Sequence, residues 1–310
     1  MNLEISVNSI LLNIELRDKK LFSTKKQKMN SNYFSEKHQN LMIKIDQYDW
    51  QNHEFIKSLI FESIKIQLNK KEHPKIGESK IGGTPDFPSA MTWPIFEEKP
   101  MIFFAQLNLS EIANFQSNEI LPNQGILYFF GYFPEPENEY GVEFDYERPK
   151  SKYKVLFYDG DISTLQSVKF PKELPSIYEF KTSKIDLETY YEIPIVNEIE
   201  YLVEDFDGLT EKDEELYEEY TDEHNWNPIE YQILGTPPPV QHSVFEEWGT
   251  VYVKQEELDI DENEISKDFV NLLSMPIFDV IGDCHIYFGI LKDDLLAKRF
   301  DKTVFIIQGL

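Results

Sequence analysis

Residues 80–94 read KIGGTPDFPSAMTWP, and residues 101–109, shortly after them, read MIFFAQLNL. The first stretch holds two glycines, which can take a positive φ, and three prolines, which fix φ, so it predicts a rigid loop. The second stretch is short and apolar, as buried strands are. A stiff loop that leads into a buried strand is therefore the local unit from which the fold is predicted.

Further short strands surround this unit. GILYFFGYF at 125–133 and YKVLFYD at 153–159 follow it, while residues 49–62 before it predict a helix and SIKIQL at 63–68 alternates as a strand does. The spacing favours antiparallel pairing over repeated βαβ units. We therefore predict an α+β fold with a duplicated, mostly antiparallel β core and a few peripheral helices.

The duplication is predicted from an internal repeat. GGTPDFPSAMTWP, FFAQLNL and QGILYFFGYF in the first half correspond in order to LGTPPPVQHSVFEEW, FVNLLSMPI and GDCHIYFGILKDD in the second. Each series has a Gly-Thr-Pro turn, a Trp, an apolar strand and an aromatic strand. We predict one domain over residues 48–310, built of two related halves at about 48–190 and 191–310. Residues 1–47 are predicted to be an N-terminal extension, a strand plus a basic linker.

The C-terminal segment is predicted to close the core. TVFIIQ at 303–308 is continuously apolar, so we expect a buried strand that pairs within the second half. In the short helix before it, we expect Leu295, Leu296 and Phe300 to face inward.

The chain is strongly acidic. Its 56 Asp and Glu against 30 Lys and Arg give a net charge of −26, although residues 1–71 alone are mildly basic. Nucleic acids and anionic membranes are bound by clustered Lys and Arg. We therefore predict no nucleic-acid and no membrane partner, and a basic protein remains a candidate partner.

Cysteine usage and hydropathy bear on location. The single cysteine, Cys284, excludes an internal disulfide and a Cys-only zinc site. The N-terminal residues lack the features of a signal peptide, and no apolar run approaches the roughly 20 residues that span a bilayer. We therefore expect a cytoplasmic protein.

The order of several motifs resembles that of the YwqG-like family, a bacterial family of unknown function. The motifs are SKIGGTPDFPSAMTWP, FFAQLNLSEI, LPNQGILYFFGYF, LGTPPPVQ and IGDCHIYFGILKDDLLAKRFDKTVFIIQG, and the resemblance runs from about Phe55 to the C-terminus. It implies an α+β fold with a duplicated antiparallel core, and no established reaction. Family members are often encoded near secreted polymorphic toxins, so the resemblance implies a toxin-neutralising role for some of them.

Catalytic and metal-binding motifs are not found in the sequence. The six histidines lack metal-ligand spacing, and there is no nucleophile elbow or phosphate-binding loop. Cys284 is better explained as a small core residue at a strand entrance than as a ligand. We predict no catalytic residue, no metal and no cofactor, and we favour a non-enzymatic role. The most metal-like cluster is Asp279, Asp283, Cys284 and His285.

Aromatic residues interleaved with acidic runs are the main candidate binding residues. Acidic runs are usually solvated faces, but charge that steers a basic partner and aromatics that anchor it are typical of protein-binding surfaces. We therefore predict a protein-binding role, as an immunity or toxin-antagonist protein that recognises a basic partner. The residues are Tyr140, Phe144, Tyr146, Tyr217 and Tyr220.

A second hypothesis is an enzyme or small-molecule binder that uses a groove between the two halves. Trp93, Gln106 and Asp283 would lie near the mouth of that groove. A simpler alternative for Trp93 is packing over the sheet, and for Gln106 a hydrogen-bonded tie between the sheet and the Pro-rich loop. Ca²⁺ binding by the acidic loops is a third hypothesis, although no EF-hand loop is present.

Overall fold

The computed structural model describes residues 36–115, 120–133, 149–203, 206–224, 231–277 and 284–309. The chain divides into two units, residues 1–43 and 44–310. Helix α1 (Glu36–Ile45) begins inside the segment for which the sequence predicted a basic linker, so that part of the prediction was wrong. Leu41, Met42 and Ile45 recur with helical spacing, a signal obscured by the basic residues before them.

Fourteen strands are assigned in the described part of the second unit. Those of the main sheet are β1 (Phe61–Asn69), β2 (Lys80–Ile81), β6 (Ile102–Asn108), β7 (Ile126–Gly131), β8 (Tyr153–Tyr158), β10 (Ser183–Glu192), β11 (Gln232–Ile233), β12 (Phe269–Pro276), β13 (Cys284–Leu291) and β14 (Val304–Gly309). Two small sheets pair β3 (Asp86–Pro88) with β9 (Leu165–Ser167), and β4 (Ile95–Phe96) with β5 (Lys99–Pro100).

Within the described ranges, seven α-helices accompany these strands. They are α2 (His53–Ser58), α3 (Leu109–Ile112), α4 (Ile199–Leu202), α5 (Glu211–His224), α6 (Val244–Gln255), α7 (Asn263–Ser266) and α8 (Lys292–Leu296). The mixed fold with a large antiparallel sheet is confirmed. In the described ranges the longest helix has 14 residues, and no helix is long and apolar enough to cross a membrane.

The main sheet has ten strands in the order β14-β13-β12-β11-β1-β10-β2-β6-β7-β8, and its pairs are antiparallel. The central strands β1 and β10 pair with each other, β1 also pairs with β11, and β10 with β2. A four-strand flank extends on each side of this centre. Each flank begins with a two-residue strand and has a register shift in its second strand. The strands of the predicted second half, β11 to β14, therefore form one flank, whereas the first half supplies both central strands and the other flank.

Aromatic side chains from opposite ends of the sheet meet in one core. Phe305 of β14 stacks on Phe104 of β6 at 6.4 Å between ring centroids and lies 5.5 Å from Tyr153 of β8. Phe129 of β7 and Phe288 of β13 lie 5.1 Å apart. Because these pairs join opposite flanks, the sheet coils around the core until its outermost strands face each other.

The predicted C-terminal strand is confirmed, with one correction in the helix before it. Strand β14 pairs with β13 and is buried on both faces. In α8, Leu295 is buried, as is Phe300 beyond it, but Leu296 is 53% exposed. Successive helical residues point about 100° apart, so this one-turn helix buries only one of the two leucines.

Candidate functional site

The first Gly-Thr-Pro segment begins with two consecutive residues of positive φ. Gly82 has φ +70° and Gly83 has φ +72°. A Cβ on Gly83 would lie 1.9 Å from the Thr182 hydroxyl oxygen, so glycine is required there both by conformation and by space. The chain turns sharply at this point and crosses from the end of β2 onto one face of the sheet.

A closed polar network holds this segment to the sheet. The Lys80 ammonium pairs with Asp86 Oδ1 at 2.8 Å, and both side chains are almost completely buried. Gln106 Oε1 accepts from the Asp86 backbone N at 2.8 Å, while Gln106 Nε2 donates to Asp86 Oδ2 at 3.0 Å and to the Glu78 carbonyl at 2.9 Å. Gln106 therefore ties the sheet to the Pro-rich loop, and its amide does not line a groove.

The aromatic residues of the loop pack on the sheet. Trp93 is partly buried, lies 5.7 Å from Phe130 and 6.4 Å from Phe103 between ring centroids, and donates from Nε1 to the Met101 carbonyl at 2.7 Å. Phe87 is 1% exposed. Packing over the sheet thus accounts for both rings.

A depression elsewhere in the first half is lined by Lys99, Pro100, Tyr132, Phe133, Glu173, Leu174, Pro175 and Tyr178.

The second Gly-Thr-Pro segment has the same backbone geometry. Leu234 has φ +59° and Gly235 has φ +62°. A Cβ on Gly235 would lie 2.4 Å from Ser63 Cβ. The Tyr287 hydroxyl donates to the Pro238 carbonyl at 2.9 Å, whereas in the first segment the Tyr128 hydroxyl donates to the Asp86 carbonyl at 2.6 Å. Pro238 and Asp86 both stand two residues after their Thr, so the two loops are held to the sheet in the same way.

The side chains below the second segment are polar but incompletely paired. Gln232 Nε2 donates to Glu192 Oε1 at 2.7 Å and to the Leu234 carbonyl at 3.1 Å. Asn271 Nδ2 donates to the same carbonyl at 3.2 Å. Desolvation raises the pKa of Glu192 to about 7, against hydrogen bonds from Gln232 and the Thr236 backbone that favour the charged form. Within the described ranges, three buried oxygens of this cluster have no hydrogen-bond partner, namely Gln232 Oε1, Asn271 Oδ1 and Ser274 Oγ, whereas the Ser63 and Thr236 hydroxyls hydrogen-bond the Glu192 carboxylate.

Helix α5 separates its acidic and aromatic residues, and this corrects one prediction. Tyr217 is 0% and Tyr220 1% exposed, and both rings lie against Trp50. The aromatic face of the helix points into the core because only there can it escape water, so neither tyrosine contributes to a surface. The outward carboxylates are Glu211, Glu214, Glu215, Glu218, Glu219, Asp222 and Glu223.

The remaining candidate residues fall mostly outside the described ranges. These are Tyr140, Phe144, Tyr146, Asp279 and Asp283. Their neighbours Cys284 and His285 are described and are buried in β13. Cys284 belongs to the apolar core cluster, as the simpler alternative predicted.

A match to the DUF1963 family, described as a domain of unknown function, covers residues 79–309. The chain belongs to the DUF1963 family. The match begins one residue before β2 and ends with β14, so both Gly-Thr-Pro segments lie inside the DUF1963 domain. Strand β1, which pairs with β10 and β11, precedes the match. No curated protein matches the chain.

Within the described part of the DUF1963 domain, no group of three or more His, Cys, Asp or Glu residues is placed to hold a metal. Two carboxylates that sequence patterns did not reveal have strongly raised pKa values. They are Glu192 and Glu198, each with a pKa of about 7 because burial disfavours the charged form. Among 56 acidic residues nothing in the sequence marked these two. The internal repeat did indicate that the two segments differ in charge, since the neutral Gln232 stands in the second motif where Lys80 stands in the first.

Proposed function

We propose that this protein is a non-enzymatic binding protein that recognises a basic protein through the outward face of helix α5. The observation that carries the proposal is the set of seven exposed carboxylates on this one helix. Among residues 211–223, the only Lys or Arg is Lys212. Its ammonium pairs with Asp49 at 2.6 Å. The face therefore presents a nearly uniform negative potential, which accelerates encounter with a basic partner.

The inward contacts of α5 hold this acidic face in place. Asp213, 0% exposed, accepts hydrogen bonds from the backbone N atoms of Gln51 at 2.6 Å and Asn52 at 2.9 Å. The Tyr217 hydroxyl donates to the Pro194 carbonyl at 2.6 Å. A surface that is already ordered loses little conformational entropy on binding, which favours affinity.

A toxin-neutralising role is the finer form of this proposal. Its support is the resemblance to the YwqG-like family, in which proteins are often encoded beside secreted toxins, together with the net charge of −26. Toxin domains that act on nucleic acid are often basic, and an acidic helix face is complementary to them in charge.

The decisive experiment compares two double charge reversals in affinity purification at low salt. Glu214→Lys with Glu218→Lys reverses two neighbours on α5, and Asp159→Lys with Glu173→Lys makes the same net change elsewhere on the surface. We expect wild type and the second variant to retain one basic protein and the first variant to lose it. Equal retention by both variants, or no bound protein with wild type, would contradict the proposal.

We also propose that the β core arose by duplication of a unit that contains one Gly-Thr-Pro segment. The matching φ values and the matching tyrosine hydrogen bonds support this. So does the register, in which Lys80 pairs with Gln106 and Gln232 with Ser274. Aligning the two halves across many DUF1963 members tests it. We expect Lys80 to align with Gln232, and a better alignment in another register would contradict the duplication.

A further inference from the structure

The sequence contains two Asp-Gly dipeptides, and both lie on the surface. Asp159-Gly160 follows strand β8, and Asp207-Gly208 is separated from helix α5 by two residues. All four residues are exposed. Their neighbours in the sequence are similar, since the first dipeptide stands in Tyr-Asp-Gly-Asp and the second in Phe-Asp-Gly-Leu. A difference in reactivity between the two would therefore come from the fold rather than from the local sequence.

An Asp-Gly bond is reactive because glycine has no side chain beside the attacking nitrogen. The glycine backbone N attacks the aspartate Cγ, the amide proton and the carboxyl OH leave as water, and a five-membered succinimide forms. Water then adds to one of the two ring carbonyls and breaks its C–N bond, which gives either aspartate or isoaspartate. In isoaspartate the main chain runs through Cγ and the α-carboxylate is free. One water is released and one consumed, so the reaction needs only a main chain that can rotate at the aspartate.

The Tyr158 ring covers the first dipeptide. A Cβ on Gly160 would lie 2.5 Å from Tyr158 Oη and 2.6 Å from Tyr158 Cζ. The Tyr158 hydroxyl lies 2.9 Å from Thr164 Oγ1, which in turn donates to the Asp161 carbonyl at 2.7 Å. Residues 158–164 therefore form a turn that is closed by hydrogen bonds, and Gly160 cannot rotate without displacing the ring.

The second dipeptide has open space around it. Nothing lies within 4 Å of a Cβ placed on Gly208, whose φ is +95°. Within the described ranges, the Asp207 carboxylate has no hydrogen bond or ion pair, and the Gly208 backbone N has no hydrogen bond. Residues 206–210 belong to no helix or strand. Both reacting groups are therefore free to meet.

The residues on either side of the second dipeptide are anchored. Phe206 stacks on Phe55 of α2 at 5.8 Å between ring centroids, with the ring planes 11° apart. The Thr210 hydroxyl accepts from the Asp213 backbone N at 3.2 Å at the start of α5. The unanchored part of the loop is therefore confined to residues 207–209, and the open space there accommodates the additional main-chain carbon of isoaspartate without releasing either anchor.

We propose that Asp207 forms isoaspartate spontaneously in the folded protein and thereby becomes a substrate for a carboxyl methyltransferase that uses S-adenosylmethionine, whereas the turn at Tyr158 protects Asp159. The methyl group passes from the sulfonium to an oxygen of the newly free α-carboxylate, and S-adenosylhomocysteine leaves. The methyl ester then loses methanol as the succinimide re-forms. Hydrolysis of that ring returns part of the chain to aspartate.

Ageing of the full chain at physiological temperature tests this modification site. Isoaspartate is followed by peptide mapping and by labelling with protein-isoaspartate methyltransferase and radioactive S-adenosylmethionine. We expect the peptide that contains Asp207 to accumulate isoaspartate, at unchanged mass, several-fold faster than the peptide that contains Asp159. In urea, where the turn at Tyr158 is lost, the two rates should become similar. Similar rates in the folded protein, no isoaspartate at Asp207, or a difference that persists in urea would each overturn the proposal.

Two variants assign the signal to single residues. Asp207→Glu retains the charge but requires a six-membered ring, which closes far more slowly, so it should abolish labelling of that peptide although Asp205 is still present. Tyr158→Ala removes the covering ring, so it should raise the rate at Asp159 towards that at Asp207, which serves as the internal reference. Labelling that persists in Asp207→Glu would overturn the proposal, as would an unchanged rate at Asp159 in Tyr158→Ala.

Discussion

Glu198 illustrates, at the scale of a single residue, how burial couples one carboxylate to stability. It directly precedes helix α4 in the chain and is 1% exposed. Its carboxylate reaches the N-terminus of helix α6, where it accepts hydrogen bonds from the Ser243 hydroxyl at 2.7 Å and the Val244 backbone N at 2.8 Å. These bonds favour the charged form, but desolvation is the larger effect and raises the pKa from 4.5 to about 7.

We therefore predict that stability falls as pH rises from about 4.5 to about 7. Below this window Glu198 is protonated in both folded and unfolded chains; within it the folded protein binds more protons, and above it the loss is complete. The shift from 4.5 to about 7 corresponds to a loss of about 3 kcal/mol. Glu192 titrates in the same window. Glu198→Gln should thus reduce the fall between pH 5.5 and 8 by about half, measured by urea unfolding at both pH values.

The control is Glu264→Gln, which removes an exposed acid near helix α6. It should leave the fall in stability between the two pH values as in wild type. If Glu198→Gln also leaves it unchanged, Glu198 does not titrate in this window.

A single residue was predictable when the residues beside it in the sequence already indicated its environment. Gln106 stands in an apolar strand, so a hydrogen-bonded tie to the loop was predictable, and Cys284 was predictable as a core residue. Glu192 was not, because its burial depends on β10 lying beside β1 and on Thr236 from a later loop. Tyr217 was assigned to a surface because its acidic neighbours dominate the local sequence.

At the scale of elements, the β4–β5 hairpin has a turn that its sequence does not favour. Glu97 and Glu98 connect the two strands with φ of 47° and 68°. Two consecutive residues of positive φ define the type I′ hairpin turn, for which Asn-Gly is the preferred sequence. Glu97→Asn combined with Glu98→Gly should therefore raise the free energy of unfolding by about 1 kcal/mol, since similar replacements that relieve backbone strain have effects of this size.

The matched control for this hairpin is Glu97→Gln combined with Glu98→Gln. It removes the same two charges without improving the turn, so it should change the unfolding free energy, measured in urea, much less than the Asn-Gly pair does. Equal stabilisation by both pairs would mean that charge repulsion, not backbone conformation, limits the hairpin.

Helices and strands whose apolar residues recur at regular spacing were predictable, but the residues at which they begin and end were not. Helix α5 and the strands β6, β7, β12 and β13 follow local patterns. Helix α2 was predicted over residues 49–62 but covers only His53–Ser58. Asp213 binds the backbone N atoms of Gln51 and Asn52, and β1 begins at Phe61, so distant contacts set both ends.

At the scale of the whole second unit, antiparallel pairing was predictable, but the strand order was not. Local sequence contains the hairpin-like series β6-β7-β8 and β12-β13-β14. It contains no signal that β1 pairs with both β10 and β11, over 100 residues further along the chain. Such pairings depend on the burial of all strands together, so pairwise patterns cannot reveal them.

The coiling of the sheet makes a prediction about two phenylalanines 201 residues apart. Phe104 of β6 and Phe305 of β14 stack at 6.4 Å, with their planes 12° apart. A double-mutant cycle of Phe104→Leu and Phe305→Leu, measured by urea unfolding, should give a coupling of about 0.5–1.5 kcal/mol, because aromatic pairs contribute this much beyond the area they bury. Phe87 packs on the other face of the sheet, so Phe87→Leu and Phe305→Leu should be additive to within about 0.5 kcal/mol. Additivity of Phe104→Leu and Phe305→Leu would show that the two ends of the sheet do not meet.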